Sequence, residues 1–450
     1  MIYDRVGLDE EAQTVVRRYE EALVWCVYTV LSLRLLWRAY QSAIELLVWD
    51  QWDFWTPLFT GAGPWACFRW QHGPHRQGLG GLVLWVTATL SGFSVRTEAI
   101  VSSFIIIAGA GIFLLFVRKT RGSLDFLDVV FPFILLNGLL PNALVRFPNP
   151  AHGPVPFLLL CLIPFCLRIE SIRIKATTAA FLTVACMYTA FALCMVPLLL
   201  TWQVLETIRS SKNRASMTLA LASSVLGVAS FFIDYTPNSA NPNFAKIPTI
   251  LEYVQYVLLV LGRPFVSQPL NGFDIGKAFV IASSMPVAAM WGFRRLLTRP
   301  SDKLGAACFL LSGFTIVFAT AAAVGRASMG VGTALSWTRY IPYVLPGTAL
   351  LVLVLRERTP VRTGRLVLCL LAASLVANEL SDDFLEDPLG KVRQKRITCI
   401  QMLRSGEPVG PTIQLGDVLL YPDPNLSAKI EFLRVNKLGL FSPGYRVTQE

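Results

Sequence analysis

The chain has 450 residues, of which 54% are apolar and only 15% are charged, and its mean hydropathy is +0.53. Soluble globular chains carry about 25% charged residues, so this composition excludes a disordered protein, a nucleic-acid-binding domain and an ordinary soluble enzyme. The apolar runs extend over most of the chain and predict an all-α, polytopic integral membrane protein. In such a protein the net charge of +11 indicates basic cytoplasmic loops rather than nucleic-acid binding.

Long apolar runs predict about eleven transmembrane helices, because a helix needs about 20 apolar residues to cross a bilayer. The first run, 22–48, is the weakest, since it contains Arg34, Arg38 and Glu45. The run 176–205 is broken near Ala190 and predicts a hairpin of two short spans. The other candidates are 98–117, 124–143, 153–167, 215–233, 276–293, 304–324, 341–355 and 366–380. Two shorter stretches, 79–95 and 249–263, are expected to lie in the membrane interface or to re-enter the membrane.

The distribution of basic residues predicts the orientation. With a cytoplasmic N-terminal segment at 1–21, twenty Lys and Arg residues fall in the inside loops and seven in the outside loops, as the positive-inside rule requires. The domain at 22–380 then crosses the membrane, and the tail at 381–450 is extracytoplasmic. Turn signals at Gly410-Pro411 and Pro422-Asp423-Pro424 predict a small ordered appendage there. The outside face also receives the loops 49–78, 144–152, 234–248 and 325–340.

The nine cysteines give no metal-binding or disulfide framework. Six of them lie in apolar runs, where thiols usually act as small hydrophobic groups. Cys67 and Cys399 lie in polar stretches, and the sequence leaves a bond between them open.

The first outside loop carries the densest group of chemically active residues. It begins with Trp49-Asp50-Gln51-Trp52-Asp53, and the two acids are three positions apart, which places them on one face of a helical turn. An acid at the mouth of a span is costly if buried and is often functional. The tryptophans also fit a membrane-interface belt.

About twenty residues later the same loop reads Gln71-His72-Gly73-Pro74-His75-Arg76. His72 and His75, with an acid from the first motif, offer ligands for a divalent metal ion. Gly73-Pro74 argues against a regular helix, so the preferred interpretation is that both histidines position a substrate or its phosphate. The third histidine, His152, also lies in a predicted outside segment.

A second cluster lies between two strong spans and includes Arg326, Arg339 and Tyr340. Arginines are scarce outside, and these two flank glycines and hydroxyl groups. A guanidinium group binds phosphate with two parallel hydrogen bonds, and a glycine-rich backbone allows an anion to approach closely. An arginine that extends from a helix end to lipid headgroups is the alternative.

Together these residues fit the transfer of a sugar from a lipid-linked phosphate donor. An acid acts as general base toward an acceptor hydroxyl, and arginines stabilise the leaving phosphate. The chain has no phosphate-binding glycine motif in a strand–turn–helix setting, so an ATP-driven pump and a soluble nucleotide-sugar fold are not supported.

These motifs resemble the polytopic GT-C class of glycosyltransferases, which have an acidic motif in their first extracytoplasmic loop. More narrowly, the chain resembles a group of bacterial membrane proteins with W-D-Q-W-[DE], Q-H-x-x-H-R, G-R-x-x-x-G…[ST]-R-Y and L-Y-P-D-P-like motifs, which extend over nearly the whole chain. The group often has an acid where this chain has Pro74, and more often has serine where it has Thr338. The first departure weakens a metal site that needs that acid.

The resemblance implies a bacterial inner-membrane protein and a role for each residue. Asp50 is the first choice for catalytic base, and Asp53 is the second choice or a metal ligand. The residues implied in contacts with the donor or acceptor are His72, His75, Arg76, Arg326, Arg339 and Tyr340. The implied partners are a polyprenyl-phosphate-linked sugar donor, a glycan, lipid or protein acceptor, and membrane lipids. The resemblance implies no particular cofactor, and a divalent metal ion stays an alternative.

Three other functions stay open at this point. A non-enzymatic carrier or flippase of lipid-linked sugars is expected to place its charged sites near the bilayer midplane and to have two related halves. A ligase or polymerase of surface polysaccharide shares the donor chemistry and differs in its acceptor. A structural subunit of an envelope complex needs no catalytic site.

Overall fold

The structure is a computed structural model that describes residues 10–146, 148–210, 213–237, 247–266, 272–358, 369–376, 388–407, 414–415, 418–419, 425–443 and 445. The described part is almost entirely helical. The first helices and strands are α1 (Glu10–Ser42), α2 (Gln51–Phe54), α3 (Thr56–Phe59), α4 (Pro64–Arg69), β1 (Gln71–His72), β2 (His75–Arg76), α5 (Gly78–Ser91) and α6 (Val95–Arg121).

The central part of the chain forms a bundle of helices around the main hydrophobic core. In chain order these are α7 (Val130–Leu135), α8 (Leu140–Arg146), α9 (Pro154–Cys166), α10 (Ile172–Tyr188), α11 (Val196–Arg209), α12 (Arg214–Phe231), α13 (Ile250–Gly262), α14 (Gly272–Thr298), α15 (Lys303–Arg326), α16 (Thr333–Ser336) and α17 (Ile341–Arg358). Short 3-10 turns occur at Phe126–Val129, Pro150–His152, Ala190–Met195, Arg263–Phe265, Ala327–Met329 and Thr338–Tyr340.

Eight helices in the described residues are long and apolar enough to cross a membrane. Judged by length and composition alone, they are Glu11–Ser42, Val95–Arg121, Phe126–Val145, Ala190–Arg209, Arg214–Phe231, Asp274–Thr298, Lys303–Met329 and Thr338–Arg358. Two further apolar helices, Gly78–Ser91 and Pro154–Cys166, are shorter. The all-helical fold is therefore confirmed, and the eight apolar helices are consistent with a multi-pass membrane protein, whereas the count of eleven spans stays a prediction.

Local chemistry explains why several predicted spans differ from the helices. The run 124–143 is interrupted after Leu135, where the Asn137 side chain accepts a hydrogen bond from the Leu139 amide and donates one to the Pro264 carbonyl. The predicted span 153–167 is a 13-residue helix that begins at Pro154 and contains Pro164. The run 176–205 is broken at Ala190, whose backbone is left-handed (φ 43°). This break confirms the sequence prediction. Of 366–380, only 369–376 lies within the described residues.

The predicted first span, 22–48, is wrong at its end because α1 stops at Ser42. Beyond this point the Glu45 carboxylate accepts hydrogen bonds from the Ser94 hydroxyl and the Val95 amide, both at 2.7 Å. Glu45 therefore satisfies one of the free N-terminal amides of α6, and it ties the chain just after α1 to the start of that helix.

The ends of the helices gather the polar loops into two groups. One group joins the segment after α6 to the end of α17, where Arg121 contacts Glu357 at 3.0 Å and Arg356 contacts Asp125 and Asp128. The other group joins 49–76, 148–152, 231–236 and 335–339, as the predicted outside loops require. The loops of the first group are those that the basic-residue count predicted to be inside, and the loops of the second group are those that it predicted to be outside.

The C-terminal tail packs against the first loop. It contains α18 (Pro388–Arg404), a two-residue hairpin of β3 (Gln414–Leu415) and β4 (Val418–Leu419), and α19 (Leu426–Val435). Apolar residues of both helices share a second core with residues 44–58 and 84–95. Within it, the Lys429 ammonium donates to the Trp52 carbonyl and the Thr56 hydroxyl at 2.7 Å each. The tail therefore supports the turn that carries the two acids. The motif at 420–424 lies outside the described residues.

Cys67 and Cys399 are both buried free thiols. The disulfide that the sequence left open is therefore not formed in this structure.

Candidate functional site

The two acids of the first loop lie at the start of one short helix. Asp50 is the residue before α2, and Asp53 lies within it. The preceding residue, Trp49, has a left-handed backbone (φ 53°), which is rare for a bulky side chain and is typical of functional turns. The side chain of Gln51 stabilises this turn through two hydrogen bonds. Its amide donates to Glu98 at 3.1 Å and its oxygen accepts from the Val48 amide at 3.0 Å.

A short hairpin places His72 against both acids. β1 and β2 pair across Gly73-Pro74, with His72 opposite His75. The Nδ1 atom of His72 lies 2.5 Å from an Asp53 carboxylate oxygen, and its Nε2 atom lies 3.8 Å from an Asp50 carboxylate oxygen. The indole of Trp70 also donates to Asp53 at 3.4 Å. His72 therefore lies between the two carboxylates.

Arg339 reaches this group from the other end of the chain. It lies in the 3-10 turn Thr338–Tyr340, and its guanidinium contacts Asp50 at 3.3 Å across 289 positions of sequence. The Trp337 ring holds it in place, with the guanidinium carbon 4.5 Å from the ring centroid. Arg326 packs on the same ring at 4.9 Å. Both arginines of the late loop therefore lie close to the acid motif of the first loop.

Asp50 and Arg339 line a small cleft. It holds about 20 Å³, room for about one water molecule, and the exposed Trp49 forms one of its walls. The lining residues are Val48, Trp49, Asp50, Gln51, Phe54, Pro148, Asn149, His152 and Arg339. A ligand that enters this cleft therefore meets a carboxylate, a guanidinium group and an imidazole together.

His152 belongs to the cleft although the sequence analysis left it out of the site. Its ring centroid lies 4.5 Å from that of His75 and 4.9 Å from that of Phe54. The signal was its position in a predicted outside loop, as the third histidine on the same face. The turn Pro150–His152 can lie close to α5 because position 80 is a glycine. A Cβ atom at Gly80 would lie 2.2 Å from the Cα atom of Ala151.

The two buried histidines are neutral at pH 7. Burial lowers the pKa of His75 to about 3, and the nearby His72, Arg339 and Arg326 act in the same direction. Burial also lowers the pKa of His152 well below its usual value, with His75 and His72 adding to the effect. Neither imidazole carries the positive charge that would attract a phosphate, so each can act on a ligand only as a neutral hydrogen-bonding group.

Arg76 lies apart from the acids. Its three nitrogens donate to the carbonyls of Phe231, Arg69 and Ile233 at 3.1, 2.6 and 2.7 Å, and its guanidinium packs on the Phe231 ring. These contacts attach the hairpin to the end of α12. Arg69 strengthens the attachment through an ion pair with Asp234 at 2.9 Å. In this structure Arg76 therefore anchors the hairpin and does not line the cleft, and its contact with a substrate stays a prediction.

Tyr340 is buried behind the cleft. Its ring packs against Phe318, Trp337 and Phe191 at centroid distances of 5.6, 6.0 and 6.3 Å. It therefore supports the turn that carries Arg339 and does not line the cleft.

Two further observations bear on the nature of the site. Within the described part of the chain, no three His, Cys, Asp or Glu side chains are grouped so that they could hold a metal ion. Comparison of the chain with protein-family models, with curated proteins and with solved structures gave no match.

Proposed function

We propose that this protein is a membrane glycosyltransferase of the GT-C type. It moves a sugar from a polyprenyl-phosphate-linked donor to a hydroxyl group of a glycan, lipid or protein acceptor, on the extracytoplasmic side of a bacterial inner membrane. In this proposal about eleven helices cross the membrane, the N-terminus is cytoplasmic and the C-terminal tail covers the first extracytoplasmic loop.

The observation that carries the proposal is the contact between Asp50 and Arg339 in one cleft. Transfer of a sugar from a phosphate needs a base for the acceptor hydroxyl and a cation for the leaving phosphate, held a few ångströms apart. Asp50 supplies the carboxylate, and Arg339 with Arg326 supplies the positive charge. The Trp337 ring, packed against both guanidinium groups, restricts their motion and keeps them directed toward one place.

An apolar groove supports a donor with a lipid chain. It lies between α13, α14 and α15, opens to the surroundings and holds about 480 Å³. Its lining is almost entirely apolar and includes Leu258, Ile316 and Val324. Val324 of the groove and Arg326 both lie in the last turn of α15, so the groove reaches the end of the bundle that carries the arginines.

A non-enzymatic carrier is the second candidate, and its site is expected near the middle of the membrane. The polar cluster instead lies where α12 and α15 end, and the tail packs beside it. This position favours a transferase that works at the membrane surface. An envelope scaffold gives no reason for a cleft that joins an acid to an arginine.

The test is sugar transfer by the purified full-length protein in liposomes, with a panel of radiolabelled polyprenyl-phosphate sugars and an acceptor extract from bacterial envelopes. Asp50→Asn keeps the size of the side chain and removes its charge, and we expect it to lower kcat by about 100-fold or more. The matched control is Asp234→Asn, an exposed acid on the same face that pairs with Arg69.

The control should keep its activity. Full transfer activity in Asp50→Asn, with normal membrane insertion, removes Asp50 from the mechanism. Donor binding without transfer by the wild-type protein, across the whole panel, favours the carrier.

A further inference from the structure

The imidazole of His152 lies in the wall of the cleft and has an unused hydrogen-bonding atom. The residue is only 8% exposed, and its Nε2 atom is buried and makes no hydrogen bond within the described part of the chain. A buried polar atom without a partner costs free energy, so native proteins rarely leave one without a function or a bound molecule. The cleft that His152 lines offers the space for such a partner.

The two amide side chains of the lining already have partners within the protein. Both ends of the Asn149 amide form hydrogen bonds, at 2.7 and 3.2 Å. Both ends of the Gln51 amide do so as well, at 3.0 and 3.1 Å. Among these three neutral groups, His152 is therefore the one that still has a buried atom to offer to a ligand, as far as the described residues show.

Three aromatic rings hold the imidazole of His152 in place. The centroid of its ring lies 4.5 Å from that of His75, 4.9 Å from that of Phe54 and 5.9 Å from that of Phe191. An imidazole packed against three rings keeps its nitrogen atoms in fixed directions. A side chain that recognises a ligand needs this kind of support.

The size of the cleft indicates which group it can bind. It has room for about one water molecule, which is also about the size of one hydroxyl group. Asp50 and His152 line this same small space, so a single hydroxyl group in it lies beside both side chains. A hydroxyl group donates one hydrogen bond and accepts two, and an imidazole has at least one N–H donor in either charge state. The hydroxyl can therefore donate to Asp50 while its oxygen accepts from His152.

We propose that His152 is a specificity-determining residue, which binds the acceptor hydroxyl together with Asp50. This inference rests on the proposed function. During transfer the hydroxyl proton goes to Asp50, the oxygen bonds to the anomeric carbon of the donor, and the electron pair of the broken carbon–oxygen bond leaves with the polyprenyl phosphate. One lone pair of the acceptor oxygen makes this bond and the other accepts from His152. A protonated amine has no lone pair, so His152 selects a hydroxyl over an amine as acceptor.

The first test is the acceptor dependence of sugar transfer in His152→Phe and His152→Gln, with the liposomes, donor panel and envelope extract described above. Phenylalanine keeps an aromatic ring in the cluster and removes both nitrogen atoms, whereas the glutamine amide retains an N–H donor. We expect His152→Phe to need about 3- to 10-fold more extract for half-maximal rate, because one hydrogen bond is lost. KM for the donor should stay within about twofold, and His152→Gln should recover part of the loss.

The melting temperature separates recognition from a structural role. Because His152→Phe removes a buried polar atom that has no partner, its melting temperature should equal or exceed that of the wild type. The matched control is Tyr188→Phe, which removes a hydroxyl that contacts Ser230 at 2.9 Å at the same end of the bundle and does not line the cleft. Its acceptor dependence should match that of the wild type.

The outcomes distinguish this inference from the proposed function. Transfer that Asp50→Asn abolishes, with an unchanged acceptor dependence in His152→Phe, overturns the role of His152 and leaves the proposed function intact. A lower melting temperature in His152→Phe that accounts for its loss of rate also overturns this role. A wild-type protein that transfers no sugar overturns the proposed function, and the role of His152 with it.

The second test does not depend on turnover. Water is the probe, because it is the smallest molecule with a hydroxyl group and it fits the cleft. An experimental structure of the full-length wild-type protein, at a resolution that shows ordered water, should have one water molecule within hydrogen-bonding distance of both His152 and Asp50. A cleft without this water, or a water that contacts Asp50 but not His152, overturns the inference.

Discussion

The close approach of α5 to the turn before α9 offers a sharp test of how the cleft is built. Gly80→Ala adds a Cβ atom that would lie 2.2 Å from the Cα atom and 2.3 Å from the amide nitrogen of Ala151. Ordinary contact begins at 3.4 Å, so the two segments must separate by about 1.2 Å. The clash is with backbone atoms, which cannot rotate away. Overpacking of this kind costs about 1–3 kcal/mol, offset by the roughly 0.5–1 kcal/mol that alanine gains over glycine in a helix.

The displaced residue is next to His152, which lines the cleft. Movement of a site residue by about 1 Å can cost about 100-fold in rate. We therefore expect Gly80→Ala to lower both the melting temperature, followed by tryptophan fluorescence in detergent, and the rate of sugar transfer. The matched control is Gly276→Ala in α14, where an added Cβ atom meets nothing within 4 Å. Equal melting temperatures and transfer rates for the two variants would refute the reasoning.

Two further predictions concern Arg76 and His75. Arg76→Lys removes most of the hydrogen bonds to Phe231, Arg69 and Ile233. We expect a lower melting temperature with little change in KM for the donor. A large rise in KM for the donor with an unchanged melting temperature would instead show that Arg76 contacts the donor. The pKa of His75 falls from 6.5 to about 3 on folding, so the unfolded chain takes up a proton below pH 6.5 that the folded protein excludes. Wild-type melting temperatures should therefore fall as the pH drops from 7 toward 4.5. His75→Gln should show a shallower fall, and an identical slope would contradict the burial of His75.

The sequence predicted which loops meet because charge and apolarity are local properties. A basic residue at a helix end indicates a face of the membrane, and the alternation of such ends assigns the loops to two groups. This reasoning placed Asp50 and Arg339 in loops of the same group, although 289 positions separate them. The same reasoning does not predict how far apart two loops on one face lie, because that distance depends on how the helices pack.

The details that the sequence did not predict depend on packing between distant segments. Arg76 and Arg339 are residues of the same type, and both lie in loops that the sequence predicts to be outside. One meets backbone carbonyls at the end of α12, and the other meets Asp50. Only the tertiary fold distinguishes them. His152 lies in the site because the glycine at position 80 leaves room for the turn that carries His152 to pack against α5. A single glycine within an apolar helix gives no sign of this in the sequence.

The two ends of the bundle show why one charged cluster is a candidate site and the other is not. At the end away from the cleft, Arg121 contacts Asp125, Asp128 and Glu357, and Arg356 contacts Asp125 and Asp128. Asp128 is fully buried there and is held by both arginines, whereas Asp125 and Glu357 are 32% and 35% exposed. At the other end, Asp50 is 25% exposed and faces a cleft together with Arg339. Both clusters contain the same kinds of group. The difference is that Asp50 and Arg339 together line a cleft, where one ligand can contact both groups.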